Sequence, residues 1–161
     1  MLGIETACRD GFDGAVMYFH AKGVSRPGAN PVTWWRWLMN AHVLSGWKDC
    51  LVHLETHDAA GVCLNSLPGL HFCGNFWWAR SAWIRELDDF AEYRDFRYSG
   101  WGDHRGPVYA RRYACELWIT QGRRPGVFKS LFTRDAHIWD PGWWGSEIGR
   151  EAKRLCLAQG C

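Results

Sequence analysis

Polar residues that could do chemistry follow the first apolar segment of the chain. Residues 15–19 form a continuous apolar run, which predicts a buried strand of the parallel type, and His20, Lys22 and Gly23 come directly after it. In open α/β sheets, ligands bind beyond the carboxyl ends of the strands. Lys22 would offer a point charge for a phosphate there, and Gly23 would let the backbone approach a ligand closely. The alternative is a solvent-exposed lysine followed by a turn glycine.

A second group of interest lies in residues 71–80, where the sequence reads HFCGNFWWAR. Gly74 and Asn75 interrupt a run of aromatic residues, although glycine weakens a strand and a buried asparagine needs hydrogen-bond partners. Both residues suit a strand that passes close to a ligand and recognises it through the amide. The alternative is an aromatic core strand with one bulge.

Two further segments carry charged side chains. Glu116 stands among apolar residues in the sequence CELWI. A buried carboxylate needs a partner and suits acid–base chemistry, whereas a surface glutamate paired with Arg112 is the alternative. Lys129 lies within a predicted strand over 127–133 and His137 follows it, and residues of these types in such places more often have a structural role.

The elements that must position these residues alternate between strands and helices. Apolar residues at helical spacing predict two consecutive helices that Gly46 separates. Ser81 and Pro107 are predicted helix starts. This alternation predicts an α/β layered fold in a single domain over residues 1–161. The expected strands are 15–19, 59–64, 71–78 and 127–133, and the expected helices are 32–45, 47–57, 81–87, 107–119 and 146–157.

Composition narrows the classes of function. The chain of 161 residues has a formal net charge of +2, which argues against a nucleic-acid partner, and it has no apolar run long enough to span a membrane. Its 12 tryptophans suit either the binding of flat sugar faces or an aromatic core. The seven cysteines show no C-x-x-C pattern, so no zinc site is predicted, and Cys50, Cys63 and Cys115 are expected to be buried thiols.

In combination, four strings resemble a family of glycosyltransferase-like proteins. They are YFHAKGVS, HFCGNFWWARSAWIREL, CELWI and FKSL, with Arg36 in a Trp-rich helix start, and they cover about residues 14–140. The family typically reads Y-x-H-T-K-G, D-W-R, H-F-S-G-N-F-W-W-A and E-x-W-I. Here Cys73 replaces the usual Ser and Ala21 the usual Thr. The resemblance implies the distal part of a GT-A-like, Rossmann-related layered sheet with flanking helices, in which the first strands are lacking.

The resemblance also implies an activity, the transfer of a sugar from a nucleotide-sugar donor to a glycan acceptor. Lys22, with Lys129, would neutralise the diphosphate leaving group, and Glu116 would act at the reacting centre. His20 and Lys22 stand where GT-A enzymes have the two acids of a D-x-D, so no metal site is predicted at these positions, and a divalent metal stays an open alternative for the domain; no other cofactor is predicted. The alternative function is a non-catalytic glycan-binding module with tryptophan platforms. Catalytic roles are implied for Glu116, Lys22 and His20, and substrate-binding roles for Gly23, Arg36, His71, Gly74, Asn75, Trp77, Trp78, Lys129 and His137.

Overall fold

The structure is a computed structural model, and several of the predicted features lie outside the residues that it describes. Among them are Lys22, Gly23 and His137, the loop that precedes Pro107, and most of the predicted helix that begins at Ser146. The described residues are 1–20, 30–66, 69–97 and 114–132, together with 151, 154, 157 and 158, which are helical.

Helices and strands alternate along the described chain. The helices are α1 (Leu2–Arg9), α2 (Asn30–Met39), α3 (Trp47–Leu54), α4 (Ser81–Glu86) and α5 (Phe90–Glu92). The strands are β1 (Ala15–Tyr18), β2 (Ala59–Gly61), β3 (Leu64–Asn65), β4 (His71–Phe72), β5 (Trp77–Arg80) and β6 (Phe128–Ser130). Two π-helical segments, Asn40–Ser45 and Tyr93–Arg97, continue α2 and α5, and a 3₁₀ turn, Trp118–Thr120, follows the helical residues 114–117.

Four strands form a mixed sheet in the order β1-β5-β2-β6. The strand β5 is antiparallel to both β1 and β2, whereas β2 and β6 are parallel. The strands β1, β2 and β6 therefore run in the same direction, and their carboxyl ends lie at one edge of the sheet. We call it the carboxyl edge, and the opposite one the amino edge. The strands β3 and β4 pair separately as an antiparallel hairpin.

Each face of the sheet is covered by its own apolar cluster. Side chains alternate between the faces of a strand, so Tyr18 and Trp77 lie on one face and Met17 and Trp78 on the other. The first face packs in a cluster with residues of α1, α4, α5 and 114–119, and the second in a cluster with residues of α2 and its π-helical continuation. The predicted α/β class, a sheet with flanking helices, is confirmed at this level.

The break between the two predicted helices falls at Gly46, as the sequence predicts. A Cβ atom at this position would stand 2.7 Å from the His42 carbonyl oxygen, so only glycine fits the close turn. After this break, α3 packs on β2 and β5. The indole of Trp78 then donates a hydrogen bond to the Val43 carbonyl at 2.8 Å, which fastens the π-helical segment to the sheet.

The sequence pattern did not predict α1. A buried carboxylate on this helix connects it to the start of α5. Glu5 is 4% exposed, accepts hydrogen bonds from the Phe90 N–H at 3.1 and 3.3 Å, and pairs with Arg9 at 2.7 Å. The first N–H groups of a helix have no partner within it, so the carboxylate supplies one. Glu5 thus helps to stabilise the start of α5, together with the Asp89 side chain, which accepts a hydrogen bond from the Glu92 N–H at 2.9 Å.

Asp58 joins three segments at the amino edge of the sheet. Its carboxylate accepts hydrogen bonds from Arg80, from Arg124 at 2.8 and 2.9 Å and from the Val127 N–H at 2.9 Å. Burial alone would raise the pKa of the Asp58 carboxyl. The hydrogen bonds from the two arginines and from Val127 outweigh burial and lower that pKa to about 2. The edge is thus closed by an ionic cluster in which the Asp58 carboxylate has several partners, whereas the buried Arg80 Nε has no hydrogen-bond partner among the described residues.

The structure corrects three details of the predicted elements. The segment 71–78 is not one extended piece, because a tight turn separates β4 from β5. The strand β1 lies at the edge of the described sheet, half-buried and antiparallel to its neighbour, rather than buried and parallel. The helix α4 begins at Ser81 itself, whose hydroxyl accepts a hydrogen bond from the Gly14 N–H at 3.0 Å instead of capping the helix.

Candidate functional site

The carboxyl edge of the sheet gathers several of the residues that the sequence analysis singled out. His20 follows β1, Cys63 follows β2, and Ser130 ends β6. Since β5 runs the other way, the turn at Gly74 and Asn75 lies at this edge as well. Ligands of open α/β sheets bind beyond this kind of edge, so we take it as the candidate site.

His20 contacts the turn directly. Its Nε2 atom lies 3.1 Å from the Gly74 carbonyl oxygen, although the two residues are 54 positions apart. A carbonyl oxygen only accepts, so Nε2 carries the proton and donates it. The His20 ring also meets Phe76 edge to face, with 5.5 Å between ring centroids. The contact joins the two strings that carry most of the family resemblance.

The turn itself explains the unusual Gly-Asn pair. Gly74 and Asn75 have φ angles of 84° and 59°, in the left-handed region that glycine and asparagine tolerate best. A Cβ atom on Gly74 would stand 2.5 Å from Met39 Sδ and 2.6 Å from Trp35 Nε1, so α2 leaves no space for a side chain. The Asn75 side-chain oxygen accepts a hydrogen bond from the Trp77 indole at 2.9 Å, and the residue is buried. The turn geometry and the packing account for both residues without a ligand.

The two implied tryptophan platforms have different surroundings. Trp77 is fully buried, and its ring stacks on Tyr18 with 5.3 Å between centroids. Its faces therefore contact the core, and it presents no surface for a sugar in this structure. Trp78 is half-buried on the opposite face of the sheet, where its indole is bound to Val43. The two rings do not form a common platform.

Glu116 lies in the helical turn 114–117, half-buried near the end of β1. Burial raises the pKa of the Tyr18 phenol, and the nearby Cys115 and Glu116 raise it further. Tyr18 is in turn 6.2 Å from His20 between ring centroids. Glu116 therefore lies near enough to β1, the strand that His20 follows, for its charge to act on the Tyr18 phenol.

Lys129 does not join this group. It lies on β6, opposite Ala60, and β5 and β2 separate β6 from β1. With about 4.8 Å between neighbouring strands, Lys129 and the end of β1 are roughly 14 Å apart. Burial lowers the pKa of His53 on α3, and the charge of Lys129 lowers it further, so the lysine acts on that helix. A shared role of Lys129 and His20 is therefore not supported. Arg36 is half-buried on α2, one residue after the Trp35 that packs against Gly74.

His71 makes a contact that the sequence analysis did not anticipate. Its Nδ1 atom lies 2.7 Å from the Gly69 carbonyl oxygen, and its Nε2 atom lies 3.6 Å from Cys73 Sγ. The signal for this pair is the H-x-C spacing just before a turn, which a strand assignment hides. Among the described residues, no group of three or more His, Cys, Asp or Glu side chains could hold a metal ion.

Comparison with known proteins identifies the family. The match covers residues 4–121 and has the description "Domain of unknown function (DUF8361)". The chain belongs to DUF8361. No curated protein and no solved structure matches it. The matched region of this DUF8361 chain includes His20, the Gly74 turn and Glu116, whereas Lys129 and His137 lie beyond it.

Near Tyr18 the DUF8361 chain has an imidazole and a carboxylate. The His20 ring lies 6.2 Å from the Tyr18 ring between centroids, and the charge of Glu116 raises the pKa of the Tyr18 phenol. The chemistry that these two side chains can support at the carboxyl edge is proton transfer and hydrogen bonding to a polar ligand.

In the part of the chain that the structure describes, no helix is long and apolar enough to cross a membrane.

Proposed function

We propose that this DUF8361 chain is a GT-A-like domain that transfers a sugar from a nucleotide-sugar donor to a glycan acceptor. One observation carries the proposal, the hydrogen bond between His20 and the Gly74 carbonyl oxygen at 3.1 Å. It joins the YFHAKG and HFCGNFWWA strings, which the resemblance assigns to a single site. The mixed sheet, in which β1, β2 and β6 run in one direction, is compatible with the distal part of a GT-A sheet.

Within this proposal each residue has a separate task. At the end of β1, His20 donates a hydrogen bond to the Gly74 carbonyl. Lys22 stabilises the negative charge of the diphosphate as that group leaves. Glu116 accepts a proton from the acceptor hydroxyl as the new glycosidic bond forms. Asn75 and Gly74 hold the turn in place for His20, because their own polar groups are engaged within the protein.

The proposal is tested by measuring donor binding and donor hydrolysis with a panel of nucleotide sugars and free nucleoside diphosphates. We expect one donor to bind, and we expect His20→Ala to weaken its binding at least tenfold, roughly the effect of one charged or well-placed hydrogen bond. Lys22→Ala should cost about 2 kcal/mol or more of transition-state stabilisation. Glu116→Gln should lower kcat and leave donor affinity unchanged.

His57→Ala is the matched control, since His57 lies beyond the end of α3 and bonds only within that segment in the described chain. It should bind the donor as the wild type does. An absence of binding to any nucleotide or nucleotide sugar would overturn the proposal. Binding of oligosaccharides without nucleotide, measured on the same protein, would establish the glycan-binding alternative instead.

A further inference from the structure

Two buried cysteines lie opposite one another at the end of the β3–β4 hairpin. Leu64 pairs with Phe72 in this antiparallel ladder, and the same register brings Cys63 opposite Cys73. The Cys73 N–H donates a hydrogen bond to the Cys63 carbonyl at 3.1 Å, which extends the ladder to this pair. Directly opposed residues of a regular ladder have Cβ atoms about 4.5–5.5 Å apart, and a disulfide needs roughly 3.5–4.5 Å. Because Cys63 has a φ of 50° and lies just outside β3, the chain at this end of the hairpin must move for the two sulfur atoms to bond.

The two thiols share one environment. Both belong to the apolar cluster under α2, Cys63 is 7% and Cys73 1% exposed, and neither forms a disulfide. Burial and, second to it, the nearby Cys73 raise the pKa of the Cys63 thiol to about 12. Because the thiolate is the nucleophile, Cys63 is not the sulfur that reacts first.

Cys73, by contrast, has a base beside it. The Gly69 carbonyl oxygen can only accept a hydrogen bond, so His71 Nδ1 donates the proton at 2.7 Å. The neutral ring then has its lone pair on Nε2, which lies 3.6 Å from Cys73 Sγ. This is the arrangement that activates a nucleophile: a thiol, an adjacent imidazole base, and a carbonyl that orients the imidazole.

We propose that Cys73 and Cys63 form a peroxide-sensitive pair that closes to a disulfide, with His71 as the proton acceptor. In the first step the Cys73 proton passes to His71 Nε2, and the thiolate attacks one oxygen of hydrogen peroxide. The S–O bond forms, the O–O bond breaks, and the departing hydroxide takes the proton from His71 to become water. In the second step Cys63 sulfur attacks Cys73 sulfur, the S–S bond forms, and the hydroxyl leaves as water with the Cys63 proton. Two thiols and one peroxide thus yield one disulfide and two waters.

The other thiols in the described part of the chain are placed differently. Cys50 Sγ donates a hydrogen bond to the His42 carbonyl at 3.3 Å, and burial raises its pKa to about 12. Cys8 and Cys115 belong with the opposite apolar cluster. Cys63 and Cys73 are therefore the pair that oxidation should select.

The test treats the full chain with hydrogen peroxide, blocks the remaining thiols with N-ethylmaleimide under denaturing conditions, and maps the peptides by mass spectrometry without reduction. We expect a Cys63–Cys73 cross-linked peptide. Cys63→Ala should stop the reaction at a Cys73 sulfenic acid, which dimedone traps. His71→Gln should slow disulfide formation at least about tenfold, the lower end of what a general base contributes, whereas Cys50→Ala should leave the rate unchanged.

Three results would overturn the proposal. Oxidation of Cys8 or Cys50 before Cys73, or a disulfide between Cys73 and a different cysteine, would show that the hairpin pair is not selected. An unchanged rate in folded His71→Gln would remove the imidazole from the reaction. If that variant does not fold, the wild-type map and the Cys63→Ala trapping decide the question without it. None of these measurements depends on whether the chain binds a nucleotide sugar.

Discussion

Replacing Asp58 by asparagine should destabilise the fold in a manner that depends on pH. The Asp58 side chain is 1% exposed and accepts hydrogen bonds from Arg80, Arg124 and the Val127 N–H. Its pKa is about 2, against an ordinary value of 3.8. Because the pKa is lower in the folded state, the stabilisation is fully present above about pH 4 and is lost as the pH falls through about 2.

The size of this effect follows from the two pKa values. Their difference corresponds to about 2.4 kcal/mol at neutral pH. The side chains of Arg80 and Arg124 are 41% and 46% exposed, so solvent screens part of the interaction. We therefore expect Asp58→Asn to lower the free energy of unfolding by about 1–2 kcal/mol. In a chain of this length the loss corresponds to a fall in Tm of roughly 2–8 °C.

Urea unfolding followed by tryptophan fluorescence at about pH 7, 5 and 3 measures this difference. The gap between the wild type and Asp58→Asn should be largest at neutral pH and should narrow on acidification. Asp10→Asn removes an exposed carboxylate after α1 and should change the free energy of unfolding by less than about 0.5 kcal/mol. No gap at neutral pH, or a gap that persists undiminished toward pH 2, would refute the assignment of this stabilisation to the Asp58 charge.

Three further predictions concern other parts of the structure. Gly74→Ala should lower the free energy of unfolding by roughly 2–4 kcal/mol, because a Cβ atom at this positive φ would clash with α2. Gly3→Ala is the control: it has open space in α1 and should raise the free energy of unfolding by up to ~1 kcal/mol. Thermal unfolding of both variants measures the difference. Glu5→Gln should cost about 1–2 kcal/mol in urea unfolding, since the Phe90 N–H loses a charged acceptor, and an unchanged midpoint would contradict that role. Burial lowers the pKa of His42 in the folded state, so unfolding takes up a proton. Acidification from about pH 7 to 5 should therefore lower the free energy of unfolding more in the wild type than in His42→Gln. Equal decreases in the two proteins would show that His42 is not responsible.

Local sequence pattern predicted most of the elements, because their signals lie within a few residues. The apolar runs at 15–19, 59–64 and 127–133 contain β1, β2 and β6, and helical spacing on either side of Gly46 predicted α2 and α3. The turn between β4 and β5 was not predicted. Its left-handed geometry depends on the close approach of Met39 and Trp35, which belong to a helix more than 30 positions away.

Side-chain placement was harder to predict than the elements. Alternation along β5 indicates that Trp77 and Trp78 lie on opposite faces of the sheet, but it does not indicate which face is packed against helices. In the structure an apolar cluster packs on each face. Similarly, the apolar pattern of β6 predicted a strand but not its position in the sheet. The order β1-β5-β2-β6 separates Lys129 from His20, and this order is set by tertiary packing rather than by any local signal.

The two edges of the sheet are stabilised in different ways, one by hydrogen bonds to a buried charge and the other by packing over a strained turn. At the amino edge Asp58 is held by two arginines and a backbone N–H, which contributes stability. At the carboxyl edge Cys63 and Asn75 adopt positive φ angles of 50° and 59°, in a conformation that costs of order 1 kcal/mol or more for a residue other than glycine. A fold tolerates such a cost where the surroundings hold the conformation in place, as α2 does over the turn. At the carboxyl edge, then, the cost of the strained backbone is offset by the packing of α2, whereas at the amino edge hydrogen bonds to a buried charge contribute stability directly.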